Sequence, residues 1–100
     1  MSLVSAPGWR SVSPDALDWR EWDGEFVVRN ERSGSSHLLG PLAGQVLQVL
    51  LDVPGGLSVA EIAARLSAEP AETVANEWRV AVEEVLIEFR RLGLAEPQPS

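Results

Sequence analysis

The chain has no cysteine and no tyrosine, and it contains a single histidine, His37. The missing cysteine excludes disulfide bonds, thiolate nucleophiles and zinc sites built on sulfur. One imidazole cannot form a multi-histidine metal site within a single chain, and no nucleophile stands beside a base. A phosphate-binding loop is also missing, because Pro54-Gly55-Gly56 follows no strand and the chain has no lysine. We therefore expect a protein without catalytic residues, metals or cofactors.

Long apolar runs are absent as well, so the sequence predicts no segment that spans a membrane. The N-terminus lacks the basic stretch and apolar block of a secretory signal, which favours a cytoplasmic location. A length of 100 residues suits one domain with a modest core. We predict a domain at 15–96, a tail at 97–100 and a flexible N-terminal arm at 1–14, attached through Trp9 and Val12.

Positive charge is scarce. The formal net charge is −7, and all eight basic residues are arginine. Affinity for nucleic acid comes mainly from Lys and Arg side chains that neutralise phosphates. An acidic chain lacks this attraction, so we expect no nucleic-acid partner.

A β-hairpin is the clearest local pattern. Two runs rich in aromatic and β-branched residues, 17–22 and 25–30, flank Asp23-Gly24, a pair that suits a two-residue hairpin turn. A polar connection then leads to the segment 36–39, which we interpret as a third strand that returns along the second. In this antiparallel sheet the first and third strands are edges, and an edge exposes unpaired backbone N–H and C=O groups.

Three helices are predicted after the sheet, at 41–52, 58–66 and 71–92. The first opens with Pro41, because proline is tolerated in the first helical turn. Ser58 and Glu61 form a capping-box pattern at the start of the second, and Gly93 is a typical stop for the third. The residues of the first two helices predicted to face the core are Leu42, Val46, Val49, Leu50, Val59, Ile62, Ala63 and Leu66.

The third predicted helix carries more apolar residues than one core-facing stripe requires. Either part of this wide arc is left for a partner, or the sheet covers one half and the first two helices cover the other. Trp78 lies in the arc and is assigned to the core by default, whereas Ile87 falls outside it and is expected to be exposed. The arc consists of Val74, Ala75, Trp78, Ala81, Val82, Val85, Leu86, Phe89 and Leu92.

Two polar features have both a structural and a functional interpretation. Glu83, Glu84 and Glu88 lie close together on the third helix, and we interpret them as a solvated face, partly neutralised by nearby arginines, rather than an acidic site. His37 is interpreted as an ordinary strand residue, with a pH-sensitive contact to a partner as the alternative.

A helix-turn-helix is a rival interpretation, because a short second helix precedes a longer one. Three strands and three helices also suit a winged helix, so DNA binding is an alternative function. The recognition helix of such a protein would be 71–92, which carries five Glu against three Arg. Phosphates would repel that face, and the charge therefore argues against DNA.

Five motifs together resemble a known family. They are LDWREWDGEFVVRN at 17–30, SHLLGPLA at 36–43, VLL at 49–51, LSVAEIA at 57–63 and FRRLGL at 89–94. Their apolar spacing and turn residues resemble those of the PqqD-like peptide chaperones, also called RiPP recognition elements, and within them the HPr-rel-A-type branch. The resemblance covers most of the chain.

This resemblance implies a truncated winged helix that binds the leader of a precursor peptide as an added strand beside the third strand, packed against the third helix. It also implies delivery of the peptide to a peptide-modifying enzyme. An acidic chain would favour a leader with basic residues. A winged-helix DNA-binding regulator and a structural module that forms a homodimer through its open edge remain alternatives. The implied peptide-binding residues are Ser35, Ser36, His37, Leu38, Leu39, Trp78, Val82, Val85 and Phe89.

Overall fold

Five strands and three helices make up the part of the chain that the computed structural model describes, which is residues 8–12, 17–23 and 25–98. The predicted α+β class, a three-stranded antiparallel sheet followed by three helices, is confirmed and is consistent with a winged helix. In chain order the elements are β1 (Trp9–Ser11), β2 (Leu17–Trp22), β3 (Glu25–Asn30), β4 (Ser36–Leu39), α1 (Pro41–Asp52), α2 (Val59–Ser67), α3 (Asn76–Leu92) and β5 (Ala95–Pro97).

β2 and β3 form the predicted hairpin, which is paired along its whole length. Asp23 adopts a positive φ of 53°, as the first turn position requires, and Gly24 lies outside the described residues. The Trp19 and Phe26 rings pack on the face that turns toward the helices, with their centroids 5.7 Å apart. The hairpin therefore presents one apolar face to the core.

β4 pairs antiparallel with β3, so the sheet order is β2-β3-β4. The connection turns at Gly34, whose φ is 75° and whose N–H donates to the Asn30 carbonyl at 2.7 Å. Glycine adopts this left-handed conformation without a steric cost. The Asn30 side chain supports the turn by accepting from the Arg32 N–H at 2.9 Å. This turn fixes the register of β4 and decides which of its residues face outward.

α1 has the predicted bounds and packs very closely on the sheet. A Cβ added at the buried Gly44 would collide with ring carbons of Phe26 on β3. Glycine at this position therefore allows the helix and the sheet to approach each other. Val46, Leu47 and Leu50 are buried on the same side of α1 and fill the core beneath.

α2 begins with the predicted capping box. The Ser58 Oγ accepts from the Glu61 N–H at 3.1 Å, and the Glu61 carboxylate accepts from the Ser58 N–H at 2.9 Å. Two otherwise orphaned N–H groups are satisfied in this way. Ile62 and Ala63 are fully buried, as predicted for the inner face.

α3 begins at Asn76, so the predicted start at residue 71 is wrong by five residues. A turn occupies the intervening segment, in which the Thr73 N–H donates to the Pro70 carbonyl at 3.1 Å. Val74 lies in this segment and is buried. Because it is apolar and has helical spacing, it was predicted as part of the apolar arc of the third helix. The predicted stop at Gly93 is confirmed, with φ at 76°. No helix within the described ranges is long and apolar enough to cross a bilayer.

β1 and β5, which were not predicted from the sequence, pair with each other antiparallel. β1 lies in the predicted N-terminal arm, and Trp9, one of its two predicted attachment points, is buried and exchanges backbone hydrogen bonds with Leu57, at 2.6 and 2.9 Å. Arg10 and Glu96 form an ion pair across the two strands, at 2.8 Å. Strands of three residues are too short to show an alternating pattern. The described part of the arm is therefore held beside the C-terminal segment.

Replacing Gly44 with alanine tests the close approach of α1 to β3. Alanine favours a helix by about 1 kcal/mol over glycine, but overpacking a buried site costs about 1–3 kcal/mol and often more where a ring must move. We expect Gly44→Ala to lower the free energy of unfolding by about 1–2 kcal/mol in urea denaturation. Gly55→Ala is the control, because a Cβ there meets open space. A Gly44→Ala variant as stable as the control would contradict the packing.

Candidate functional site

The outer edge of β4 is free within the described residues. β4 has β3 on one side, and the sheet order gives it no strand on the other. The described part of the N-terminal arm pairs with β5 and does not add to this edge. The predicted position of the third strand at a sheet edge is thus confirmed.

The register shows which backbone groups of β4 face outward. The Asn30 N–H donates to the Ser35 carbonyl at 2.9 Å, so these two residues form a hydrogen-bonded pair. Such pairs recur at every second residue of an antiparallel ladder. His37 and Leu39 therefore direct their N–H and C=O groups toward β3. Ser36 and Leu38 direct theirs toward the free side.

The side chains of β4 alternate between the core and solvent. Leu39 lies opposite Phe26 and is only 4% exposed, whereas Leu38 lies opposite Val27 and is 66% exposed. Burial of Leu39 anchors the end of the strand in the core. Leu38 and the partly exposed Val27 opposite it leave a small apolar patch in solvent beside unpaired backbone groups.

An open groove of about 390 Å³ lies where the end of β4 and the start of α1 meet one side of α3. Its lining is mainly aliphatic, with Phe89 as the aromatic residue. Glu84 and Glu88 are its charged residues. The residues that line this groove are Leu38, Leu39, Gly40, Leu42, Ala43, Ala81, Glu84, Val85, Glu88, Phe89 and Leu92.

Of the four α3 residues in the predicted site, Val85 and Phe89 line this groove. Val82 does not, because it is fully buried and packs in the core. Trp78 is 36% exposed, so its assignment to the core by default is wrong. Trp78 is not among the groove-lining residues, but it lies seven residues before Val85 and thus on nearly the same helix face.

On β4, Leu38 and Leu39 reach the groove, and Ser36 contributes outward backbone groups. Ser35 precedes the strand and is half-buried. His37 lies opposite Val28 on the face toward the helices, and its Nε2 is buried with no hydrogen-bond partner among the described residues. These positions fit the interpretation of His37 as a strand residue.

Several lining residues were not predicted as part of a site. Leu42 was assigned to the core, and Glu84 and Glu88 were assigned to a solvated face. A sequence signal existed on α3, because Ala81, Val85, Glu88 and Leu92 recur at helical spacing. The outward exposure of Ile87, 51%, agrees with its predicted place outside the apolar arc.

A second, larger pocket of about 630 Å³ lies between the start of α2 and the first turns of α3. Three of its polar residues already form hydrogen bonds within the protein. Ser58 and Glu61 bond each other in the capping box, and Arg79 donates to the Ala71 carbonyl at 2.9 Å. It borders no sheet edge of the β2-β3-β4 sheet. Across the described ranges, no three His, Asp or Glu side chains are placed to hold a metal ion.

No family model and no curated protein sequence match the chain. Two solved structures do match it. One is a lasso peptide synthetase B1 complexed with the leader peptide, with a TM-score of 0.63 and 22% identity over 90% of this chain and 99% of the other. The second is TbiB1 in complex with the TbiA(beta) leader peptide, with a TM-score of 0.65 and 20% identity over 89% and 98%.

The chain shares the fold of these B1 proteins. This fold is consistent with the RiPP recognition element that the sequence motifs resemble. The matches cover nearly the whole of each B1 chain, so the likeness includes both the sheet and the helices rather than one motif.

Amide hydrogen exchange of the free protein tests the register of β4. We expect the amides of Ser36 and Leu38 to exchange quickly, because they face solvent, and those of His37 and Leu39 to be protected by bonds to β3. Exchange rates by NMR, corrected for intrinsic rates, measure this alternation. Protection of Ser36 and Leu38 instead would mean that the strand is shifted by one residue.

Proposed function

We propose that this chain captures the leader segment of a precursor peptide as an extra strand along β4 and presents it to a peptide-modifying enzyme. The observation that carries the proposal is the free edge of β4 next to an apolar groove. Ser36 and Leu38 offer outward N–H and C=O groups, and α3 supplies the facing wall. The chain itself performs no chemistry in this role.

In strand addition, affinity and specificity come from different contacts. Main-chain hydrogen bonds to the edge hold any extended segment, and pockets for alternate side chains select the sequence. Alternate residues of an added strand would point into the groove, where Val85, Phe89 and Leu42 offer apolar contact. The remaining residues would lie beside the exposed Leu38 on the outer face.

The two structural neighbours support this proposal, since both carry a leader peptide in their complexes. A role in the biosynthesis of a modified peptide, such as a lasso peptide, follows by analogy with them. The analogy rests on fold, and the free edge and groove of this chain supply an argument that is independent of it.

Presentation to an enzyme is compatible with this mode of binding. A peptide held as an edge strand stays at the surface, and β4 is only four residues long. The rest of the precursor would therefore extend beyond the protein and remain accessible. We infer that the modifying enzyme acts on this extended part while the leader is held.

The DNA-binding alternative has less support. α3 carries Glu77, Glu83, Glu84 and Glu88 against three arginines, and the groove beside it is acidic. Phosphates would be repelled at this surface.

Pairing of β4 with a second copy of the chain remains an alternative prediction. Analytical ultracentrifugation of the free protein would show whether such a dimer forms.

A proline at an outward-facing edge position tests strand addition. Leu38→Pro removes an N–H that faces solvent, so the fold is kept while the edge loses a donor. The probe is a fluorescein-labelled peptide selected from a displayed library of random linear peptides on the immobilised wild-type protein. We expect its Kd, measured by fluorescence anisotropy, to rise by about tenfold, because a peptide carbonyl loses its partner.

The matched control is a proline on the opposite edge of the same sheet. Glu21 on β2 pairs with Phe26, whose backbone groups face β4, so the Glu21 N–H also faces away from the sheet. We expect Glu21→Pro to leave the Kd within about twofold. Equal binding by wild type, Leu38→Pro and Glu21→Pro, with circular dichroism showing all three folded, would contradict strand addition.

A further inference from the structure

The groove beside β4 carries charge of one sign. Glu84 and Glu88 line it, and none of the eight arginines does. Glu88 is paired with Arg91 at 2.8 Å, and its side chain is still 49% exposed. Glu84 is exposed and forms no ion pair within 4.0 Å among the described residues. A ligand in the groove would therefore lie next to an unneutralised carboxylate.

The two carboxylates lie at the outer rim of the groove rather than on its floor. They are one helical turn apart and exposed, whereas Val85 is half-buried and Phe89 is buried, so the apolar lining lies deeper in the groove than the carboxylates. A side chain that reaches this rim from β4 must cross apolar surface first. Arginine and lysine suit this geometry, because their aliphatic stems pack on apolar groups while the charged head remains in solvent.

The outer face of the sheet has a different character. Arg29 lies opposite Ser36 on that face, and Arg20 lies opposite Val27. Both are exposed, and they partly offset the exposed carboxylates nearby, which are those of Asp18, Asp23 and Glu25. The groove carries only Glu84 and Glu88, whereas the outer face mixes carboxylates with arginines, so a basic side chain of an added strand would gain more when it points into the groove.

We propose that Glu84, with Glu88, makes the groove selective for a leader peptide that carries a Lys or Arg on the side of the bound strand that faces α3. This inference rests on the proposed function, since it takes strand addition to β4 as the binding mode. It names the chemistry of the peptide that the same site accepts.

The net charge of −7 attracts any basic peptide. The attraction by Glu84 in the groove must therefore be separated from the attraction by the charge of the whole chain. The chain offers a matched pair for this purpose. Glu83 and Glu84 are adjacent on α3 and both exposed, but Glu83 borders the second pocket and only Glu84 borders the groove. Glu83→Gln and Glu84→Gln change the net charge equally.

The experiment is a parallel selection from a displayed library of random linear peptides. The immobilised targets are the wild type, Glu83→Gln, Glu84→Gln and Leu38→Pro. We expect wild type and Glu83→Gln to enrich peptides with a basic residue next to apolar residues, and Glu84→Gln to lose the basic preference while it still enriches the apolar residues. Leu38→Pro is expected to recover few of these peptides.

One enriched peptide, made synthetically, gives the quantitative test. We expect Glu84→Gln to weaken its binding by about two- to fivefold at low salt, the range of a solvent-exposed ion pair, and Glu83→Gln to weaken it less. The difference should shrink at high salt. Moving the basic residue by one position turns it to the outer face, where arginines lie among the carboxylates, so that the peptide should lose part of the advantage of its charge.

The outcomes separate the two proposals. Peptides that depend on the β4 edge but show no basic preference, or show it equally on Glu83→Gln and Glu84→Gln, would overturn this inference and leave the proposed function standing. Enrichment that is the same on Leu38→Pro and wild type, or no enrichment on any target, would overturn the proposed function and this inference with it.

Discussion

The site depends on a single constraint, which is that the outward N–H and C=O groups of Ser36 and Leu38 need hydrogen-bond partners. Water supplies them in the free chain, and an extended peptide can replace that water without any change in the strand. An open edge is a hazard for aggregation, which short edge strands reduce. β4 is four residues long, so its open edge is too short to start an extended sheet.

The position of this edge is held by contacts that lie away from it. Leu39 fixes the end of β4 in the core opposite Phe26, and α1 starts two residues later at Pro41. Gly44 then lets α1 lie directly on the Phe26 ring. The same ring therefore fixes both the strand and the helix, and the space left between them and α3 is the groove. A change at Phe26 would alter the groove without touching a ligand.

Local features of this fold were predictable from the sequence, and features set by distant contacts were not. The hairpin at Asp23, the bounds of α1 and the capping box of α2 depend on neighbouring residues, and the prediction of each was confirmed. β1 and β5 are three residues each and are joined only in the folded chain. Within the apolar arc of α3, Val82 and Val85 are the same residue type three positions apart. Tertiary packing alone decides that Val82 is buried in the core and that Val85 lines the groove.

In the proposed strand addition, the edge alone is too weak for specific capture of a peptide. Ser36 and Leu38 together present two N–H and two C=O groups, and each hydrogen bond contributes about 0.5–1.5 kcal/mol net, so the edge supplies about 2–6 kcal/mol. Micromolar affinity requires about 8 kcal/mol, and association itself has an entropic cost. The rest must come from the groove, where burying about 150 Å² of apolar surface stabilises a complex by about 4 kcal/mol. Selectivity must also arise there, because backbone hydrogen bonds are the same for every sequence.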